Sequence, residues 1–306
     1  MSDHIAHIGI CDDTFRLAAV HPAIHPNFKR LMVEHREAAH MGSITRSADK
    51  WSVDLVGWAR DEFAKPGGER AQNADAKLAF TLGSLTHRSA DRLTKPITRC
   101  WSGNDDSGRR GSEANESKIY QDVFVYKEVY ASGHAPDAAG LFAPNFFDIV
   151  PDSALAGPEA LYRLLLRRAL IAMHTLNPDA NHIHDWLDRF FAGMQTYPKS
   201  LAQYAEINAT WPKDKVDKYL TSKRFYDRSD ALIQLARAAQ TGKAIDGGAV
   251  VDAQQATTER NSRYGRALAK ALDYLIAATE YFEGRTDAVT TAKRFDIGVP
   301  ELSLQD

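Results

Sequence analysis

The sequence has little of what would commit a protein to a secreted, membrane-embedded or nucleic-acid-binding role. Among its 306 residues only Cys11 and Cys100 are cysteines, which excludes a disulfide framework and a cysteine-rich metal site; a single bridge and two free thiols both remain open. No apolar run approaches the ~20 residues that span a bilayer. With 38 basic and 40 acidic residues, the chain has no strong nucleic-acid signal and no basic surface for acidic lipids.

Targeting and catalytic motifs are also missing. The N-terminal letters MSDHIAHIGICDD lack the basic region, apolar stretch and cleavage site of a signal peptide, so we expect a cytoplasmic protein. The glycine-rich phosphate loops and the GxSxG and HExxH patterns do not occur. Any chemistry must therefore rest on residues outside these motifs.

What the sequence does contain is helical periodicity over most of its length. Apolar residues recur at three- and four-residue spacing, and two-residue alternation is rare. We predict an all-α multi-helix bundle of eight to ten helices, forming a single domain over residues 1–306. The predicted helices are 4–19, 27–41, 51–64, 71–93, 113–132, 157–176, 181–195, 200–209, 226–240 and 250–283. Segment 113–132 also fits a strand, and the long last helix offers a homodimer surface.

The helix over 71–93 places His87 and Asp91 on one face, because residues four apart on a helix are neighbours. Small residues, Gly83 and Ser84, share that face and leave room for a metal site or for a closely packed helix. Arg88 and Arg92 are predicted to point to solvent. The spacing is not diagnostic, since the chain has two His-x3-acid pairs, about as many as chance gives. An ordinary hydrogen-bonded pair is the alternative.

The letters AFTLGSLTHRSADRLTKPI, residues 79–97, resemble the signature helix of the zinc-dependent phospholipase C family, which is related to the S1/P1 nucleases. The shared positions are Phe80, Leu82, Gly83, His87, Asp91 and Pro96. The resemblance extends loosely over about residues 1–130 and implies a phospholipase C/P1-nuclease-like bundle, with 131–306 as additional helices that complete it.

The resemblance also implies a set of metal ligands beyond His87 and Asp91. In the first helix His4 is the better match and His7 the alternative. Asp49 occupies the place of a metal-binding aspartate. Glu116 occupies the place of a later histidine, with Tyr120 or Asp122 at the acidic place that follows.

The chain departs from the family pattern where further histidines are expected. No histidine occurs from 41 to 86, and Thr98 stands near the place of another. We therefore expect one or two divalent metals, Zn or the harder Mn, Mg or Fe, held by a carboxylate-rich set. That set is His4, Asp49, His87, Asp91 and Glu116, in which Asp49 and Asp91 would be catalytic.

Two functions follow from these observations. The first is a metal-dependent phosphoesterase that hydrolyses a phosphodiester or a phospholipid headgroup by metal-activated water. The alternative is a non-catalytic helical scaffold or interaction protein that keeps the fold but has lost the metal cluster. A hydrolase of another substrate is a third, weaker hypothesis.

The remaining histidines favour structural interpretations. His35 and His40 are predicted to be core histidines with satisfied hydrogen bonds, and His21 and His25 precede prolines in a loop. His182 and His184 diverge on a helix, which argues against a metal site there.

Overall fold

The computed structural model describes residues 4–45, 48–66, 69–71, 74–100, 112–131, 203, 206–207 and 210–299. In these ranges the regular structure is entirely helical, so the all-α prediction is confirmed at that level. The phospholipase C-like form of the bundle stays a prediction. The predicted helices 157–176 and 181–195, and His182 with His184, lie outside the described residues, and so the single domain over 1–306 also stays a prediction.

Eleven α-helices are described. They are α1 His4–Val20, α2 Pro26–Glu34, α3 Arg36–Ser43, α4 Ser52–Phe63, α5 Ala74–Arg99, α6 Ser112–Val125, α7 Lys213–Tyr219, α8 Ala231–Gln240, α9 Gly247–Gln255, α10 Arg263–Phe282 and α11 Ala288–Arg294. Short 3₁₀ turns cover Ala48–Lys50 and Thr221–Lys223, and a π-helical turn, Tyr126–Ala131, follows α6.

Helix α5 lies at the centre of the described bundle and packs against α1, α3, α4 and α10. Its apolar stripe includes Leu78, Leu82 and Leu85, which are fully buried. Each such leucine contributes about 1.5–3 kcal/mol through removal from water. One continuous apolar core includes Ile5, near the start of the described chain, and Phe295, near its end, so both ends are held by the same packing.

Three predicted boundaries were wrong. Pro96 does not end α5, which continues to Arg99; the ring lies one turn from the end and costs a single backbone hydrogen bond. The predicted helix 27–41 is interrupted at His35, whose backbone leaves the helical region (φ −119°, ψ 38°). The predicted helix 250–283 is divided, because the Ser262 side chain accepts from the Gly265 N–H and starts α10 anew.

In segment 113–132, which the sequence left open between helix and strand, the described residues 113–131 form α6 and the π-helical turn. Among the described helices, none is long and apolar enough to cross a membrane.

Candidate metal centre

The candidate site begins where α3 crosses α5 at glycine contacts. A Cβ atom added to Gly83 would lie 1.8 Å from the carbonyl oxygen of Ala39, and one added to Gly42 would lie 1.9 Å from that of Phe80. No side chain fits at such distances, so the two backbones approach as closely as glycine permits. The small-residue face of α5 therefore serves helix packing.

This close crossing fixes the imidazole of His87. Its Nδ1 lies 2.9 Å from the carbonyl oxygen of Ser43, at the end of α3. A carbonyl oxygen can only accept, so Nδ1 carries the hydrogen and Nε2 carries the lone pair when the ring is neutral. A backbone carbonyl on the far nitrogen is a common support for metal-binding histidines.

His7 of α1 completes a three-residue cluster with His87 and Asp91. Its Nε2 lies 3.3 Å from Oδ1 of Asp91, and its ring stacks on that of His87 with 4.5 Å between centroids. His7 is 2% exposed and His87 7% exposed. One ligand atom from each of the three residues lies within 4.8 Å of the other two.

The carboxylate of Asp91 faces two imidazole nitrogens and an ammonium. Oδ2 lies 3.5 Å from Nε2 of His87 and 3.6 Å from Nζ of Lys95, while the buried Oδ1 makes no hydrogen bond of ordinary geometry with the residues that the structure describes. Burial by itself would raise the pKa of Asp91, but hydrogen bonds from the two histidines in their protonated form, and the charge of those rings, lower it well below its usual range. Asp91 is therefore ionised at neutral pH.

When its ring is neutral, His87 presents a hydrogen-bond acceptor to the carboxylate of Asp91, which is also an acceptor. Burial, and then the neighbouring His7, lower the pKa of His87 below 6.5, so the ring is neutral at pH 7 and its Nε2 lone pair faces a carboxylate oxygen. Two acceptors 3.5 Å apart are unfavourable unless a proton, which makes Nε2 of His87 a donor, or a metal cation lies between them. The arrangement is therefore suited to binding a cation.

The spacing of the ligand atoms is close to that around a tetrahedral ion. With Zn–N and Zn–O bonds of about 2.0–2.1 Å, adjacent ligand atoms of a tetrahedron lie roughly 3.3–3.4 Å apart. Oδ1 of Asp91 lies 3.3 Å from Nε2 of His7, and Oδ2 lies 3.5 Å from Nε2 of His87, so the two imidazoles face different oxygens of one carboxylate. Three protein ligands would leave a fourth position open, which is the pattern of catalytic rather than structural zinc sites.

The structure brings together only part of the ligand set that the sequence suggested. His87 and Asp91 meet, and the histidine from α1 that joins them is His7, the alternative match. His4 begins α1, but its side chain lies outside the described residues. Asp49 is exposed in the 3₁₀ turn Ala48–Lys50.

Glu116 and the two alternatives that follow it have other partners. Glu116 accepts hydrogen bonds from the Tyr219 hydroxyl and from Lys215. Tyr120 is buried and stacks on Trp211. Asp122 is buried and accepts a 2.8 Å hydrogen bond from the N–H of Ala6, in the first turn of α1, where a carboxylate is favoured.

Sequence reasoning missed a buried charged network on α1. Oδ1 of Asp12 lies 2.7 Å from Nε2 of His40 and 3.0 Å from Nη2 of Arg36, and Oδ2 accepts from the Tyr130 hydroxyl at 3.1 Å. The Ser43 hydroxyl in turn donates to the carbonyl of His40 at 2.8 Å. The network stabilises the position of α3 and therefore that of the Ser43 carbonyl, which orients His87. The feature of the sequence that could have indicated this network is the pair of acidic residues, Asp12 and Asp13, inside the otherwise apolar helix α1.

Asp13, the second acid, is also fully buried and hydrogen-bonded. It accepts from Arg16 at 2.7 Å, from the Tyr264 hydroxyl at 2.8 Å, and from Arg237. Two carboxylates without exposed area are thus each matched by cationic and hydroxyl donors, as burial of charge requires.

The solvent-facing prediction for Arg92 was wrong, because it is 7% exposed, and Arg88 too is engaged with protein groups. Arg92 Nε lies 3.2 Å from Oδ2 of Asp296, and Arg88 donates to the carbonyls of Phe295 and Asp296. The segment after α11 folds over this side of α5, which helical phase alone cannot reveal.

Among the histidines with structural interpretations, His40 is buried as predicted. His35 is not a core residue: it is partly exposed at the α2–α3 break, with Nε2 3.9 Å from Asp75 Oδ2. It forms a second cluster of possible ligands with Glu34 and Asp75. There Arg30 already binds both acids, so that cluster is explained as surface ion pairs.

Comparison of the chain with models of protein families, with curated proteins and with solved structures gives no match. The resemblance at residues 79–97 therefore stays a prediction, and the function rests on the geometry of the site.

Proposed function

We propose that His7, His87 and Asp91 bind one divalent metal ion and that the protein is a metal-dependent phosphoesterase. The observation that carries the proposal is the neutral Nε2 of His87, oriented by the Ser43 carbonyl and facing the Asp91 carboxylate at 3.5 Å. A cation between these two acceptors turns an unfavourable contact into two coordinate bonds.

The mixed nitrogen and oxygen ligands favour zinc, and they also suit ferrous iron or manganese. Magnesium prefers oxygen ligands and retains several waters, so two imidazoles argue against it. This order of preference among metal ions differs from the one that a carboxylate-rich ligand set suggested, because Asp49 and Glu116 do not lie in the cluster.

A divalent ion at this place would activate water as a nucleophile and stabilise charge on a phosphoryl oxygen. Asp91, whose side chain is 21% exposed, and Lys95, at 25%, form the accessible edge of the cluster. The Lys95 ammonium is positioned to attract and orient a phosphate on that edge. The substrate class is accordingly a phosphodiester or a phospholipid headgroup.

Two observations favour the alternative, a scaffold or interaction protein without catalysis. Asp91 is already compensated in part by Lys95, and Glu116 is committed to Tyr219 and Lys215. Glu116 thus offers no free carboxylate to a second metal beside the first.

The test is metal content followed by turnover. Protein purified without chelators, or reconstituted with Zn, Mn or Fe(II), is expected to bind about one equivalent of metal. His7→Ala, His87→Ala and Asp91→Ala are expected to bind much less and to lose metal-dependent hydrolysis of bis(p-nitrophenyl) phosphate. His35→Ala is the matched control, since it removes a histidine from the other cluster, and it should retain both properties.

Two outcomes would contradict the proposal. Less than about 0.2 equivalents of metal, with no thermal shift on adding Zn, Mn or Fe(II), would exclude the metal centre. Stoichiometric metal without phosphodiester turnover would retain the centre and reject the phosphoesterase.

A further inference from the structure

A cavity of about 450 Å³ lies away from the metal-binding cluster, between the π-helical turn Tyr126–Ala131, the loop before α8 and α8 itself. Sites for small molecules are commonly 300–1,000 Å³. None of His7, His87 and Asp91 lines it, and so the cavity requires its own explanation.

The charged lining of the cavity is predominantly cationic. Arg228, Arg237 and Lys243 face one carboxylate, Glu128. Arg228 is paired with Glu128, and Arg237 reaches Asp13 beneath the cavity, where Arg16 supplies a further positive charge. Lys243 is exposed and makes no ion pair with the described residues. The cavity thus retains an excess of positive charge.

Two hydrogen-bond donors in the cavity wall have no hydrogen-bond partner among the described residues. The hydroxyl of Tyr226 and Nε of Arg237 are both buried without a hydrogen bond. Burial raises the pKa of Tyr226 above its usual range, so the hydroxyl keeps its proton and remains a donor. An unsatisfied buried donor costs about 1–3 kcal/mol, and an acceptor bound in the cavity would remove that cost.

The rest of the wall is partly apolar. Ile233 and Ala238 of α8 line the cavity together with Tyr226, and Ile233 is buried in the described structure. Apolar surface beside convergent donors and cations fits a ligand with an acidic head group on a short hydrophobic body.

We propose that this cavity binds a small organic anion, a phosphoryl or carboxylate group on a short apolar or aromatic body, independently of the metal centre. Lys243 supplies the unpaired charge, Tyr226 and Arg237 supply the donors, and Ile233 with Ala238 contacts the body. The proposal does not depend on phosphoesterase activity, because it rests on a separate set of residues.

The test is isothermal titration calorimetry of the full chain with phenylphosphonate, whose C–P bond resists hydrolysis, at low ionic strength. Because a phosphonate could also bind a metal ion at His7, His87 and Asp91, no metal is added; under these conditions we expect one saturable site with weaker binding of methylphosphonate. Lys243→Glu should weaken binding roughly tenfold under these conditions. Tyr226→Phe, which removes only the hydroxyl, should weaken it about fivefold.

Two controls separate this site from the rest of the molecule. Lys293→Glu makes the same charge reversal on an exposed lysine of α11 and should leave the affinity unchanged. Asp91→Asn disables the metal cluster and should also leave it unchanged. Absence of saturable binding, equal losses in Lys243→Glu and Lys293→Glu, equal affinity for the two phosphonates, or loss of binding in Asp91→Asn would each overturn the proposal.

Discussion

At the scale of single residues, Asp12 shows how this protein keeps charge in its interior. Burial by itself would raise the pKa of Asp12, but Arg36 and His40 lower it well below its usual range. The folded protein therefore holds the Asp12 proton less tightly than the unfolded chain, in which the pKa is about 3.9. Unfolding takes up a proton as the pH falls, so Asp12 stabilises the fold above about pH 4–5 and progressively less below it.

We predict that Asp12→Asn lowers the free energy of unfolding at pH 7 by about 3–5 kcal/mol, because it removes the fully buried carboxylate that pairs with Arg36 and His40. The measurement is urea unfolding between pH 7 and pH 3. The variant should also lose less stability than the wild type over the acid part of this range.

The matched control for that experiment is Asp61→Asn, which changes an exposed carboxylate and should leave the unfolding midpoint where it is. A parallel acid dependence in the wild type and in Asp12→Asn would show that other carboxylates govern acid unfolding.

At the scale of helices, the contact of α3 with α5 connects packing to the candidate site. Gly83 and Gly42 allow the crossing, and the crossing places the Ser43 carbonyl against His87. The pairing spans 44 positions in the sequence. The sequence predicted a face of small residues on α5. Such a face suits a metal site and a closely packed helix equally well, so the sequence alone could not distinguish the two.

We predict that Gly83→Ala destabilises the fold and loosens the metal centre together. The added Cβ would meet the Ala39 carbonyl at 1.8 Å, so α3 must move; overpacking of this kind costs about 1–3 kcal/mol. Loss of the Ser43 hydrogen bond should weaken metal binding by about 10- to 100-fold, as is usual for partners outside the coordination shell. Thermal unfolding and competition with a zinc chelator measure the two effects.

Gly57→Ala is the control for this prediction. It makes the same change inside α4, where the nearest obstacle is the Tyr281 hydroxyl, the end of a side chain that can move. We expect a change within about 1 kcal/mol, since alanine also favours the helix. Equal effects of the two substitutions on metal affinity would contradict the role assigned to the α3–α5 crossing.

Local signals explain which features of the elements were predictable. Apolar periodicity identified α1, α4 and α5, because it depends on residues three and four apart. The division between α9 and α10 was missed because it depends on Ser262, whose N–H and hydroxyl bind the distant carboxylate of Asp230. Arg92 was assigned to solvent for the same reason: its partner, Asp296, comes from the far end of the chain.

At the scale of the whole molecule, the candidate site was predictable only in the part that lies on one helix. His87 and Asp91 are adjacent on α5, so spacing was sufficient to pair them. His7 lies beside them because α1 packs against α5, whereas Asp49 and Glu116 lie elsewhere. Both facts depend on how the helices are arranged in space. Prediction of these positions would require the relative placement of the helices.

The two cysteines give a measure of how the whole molecule opens. Both are free thiols, Cys100 exposed and Cys11 buried. Burial, and then the neighbouring Asp12, raise the pKa of Cys11 to about 12. The thiolate is the reactive form, so Cys11 should be inert while α1 remains packed in the core.

We predict that Ellman's reagent at pH 8 modifies one thiol rapidly in the native protein and two in denaturant. In Cys100→Ser the rapid reaction should disappear, and the remaining slow reaction should accelerate with urea in parallel with global unfolding, because Cys11 belongs to the continuous core.

A Cys11 modification rate that does not respond to low urea would instead show that α1 opens locally, without global unfolding. In that case the cluster of His7 with α5 would be transient, and added zinc should slow the modification of Cys11 by holding α1 in place.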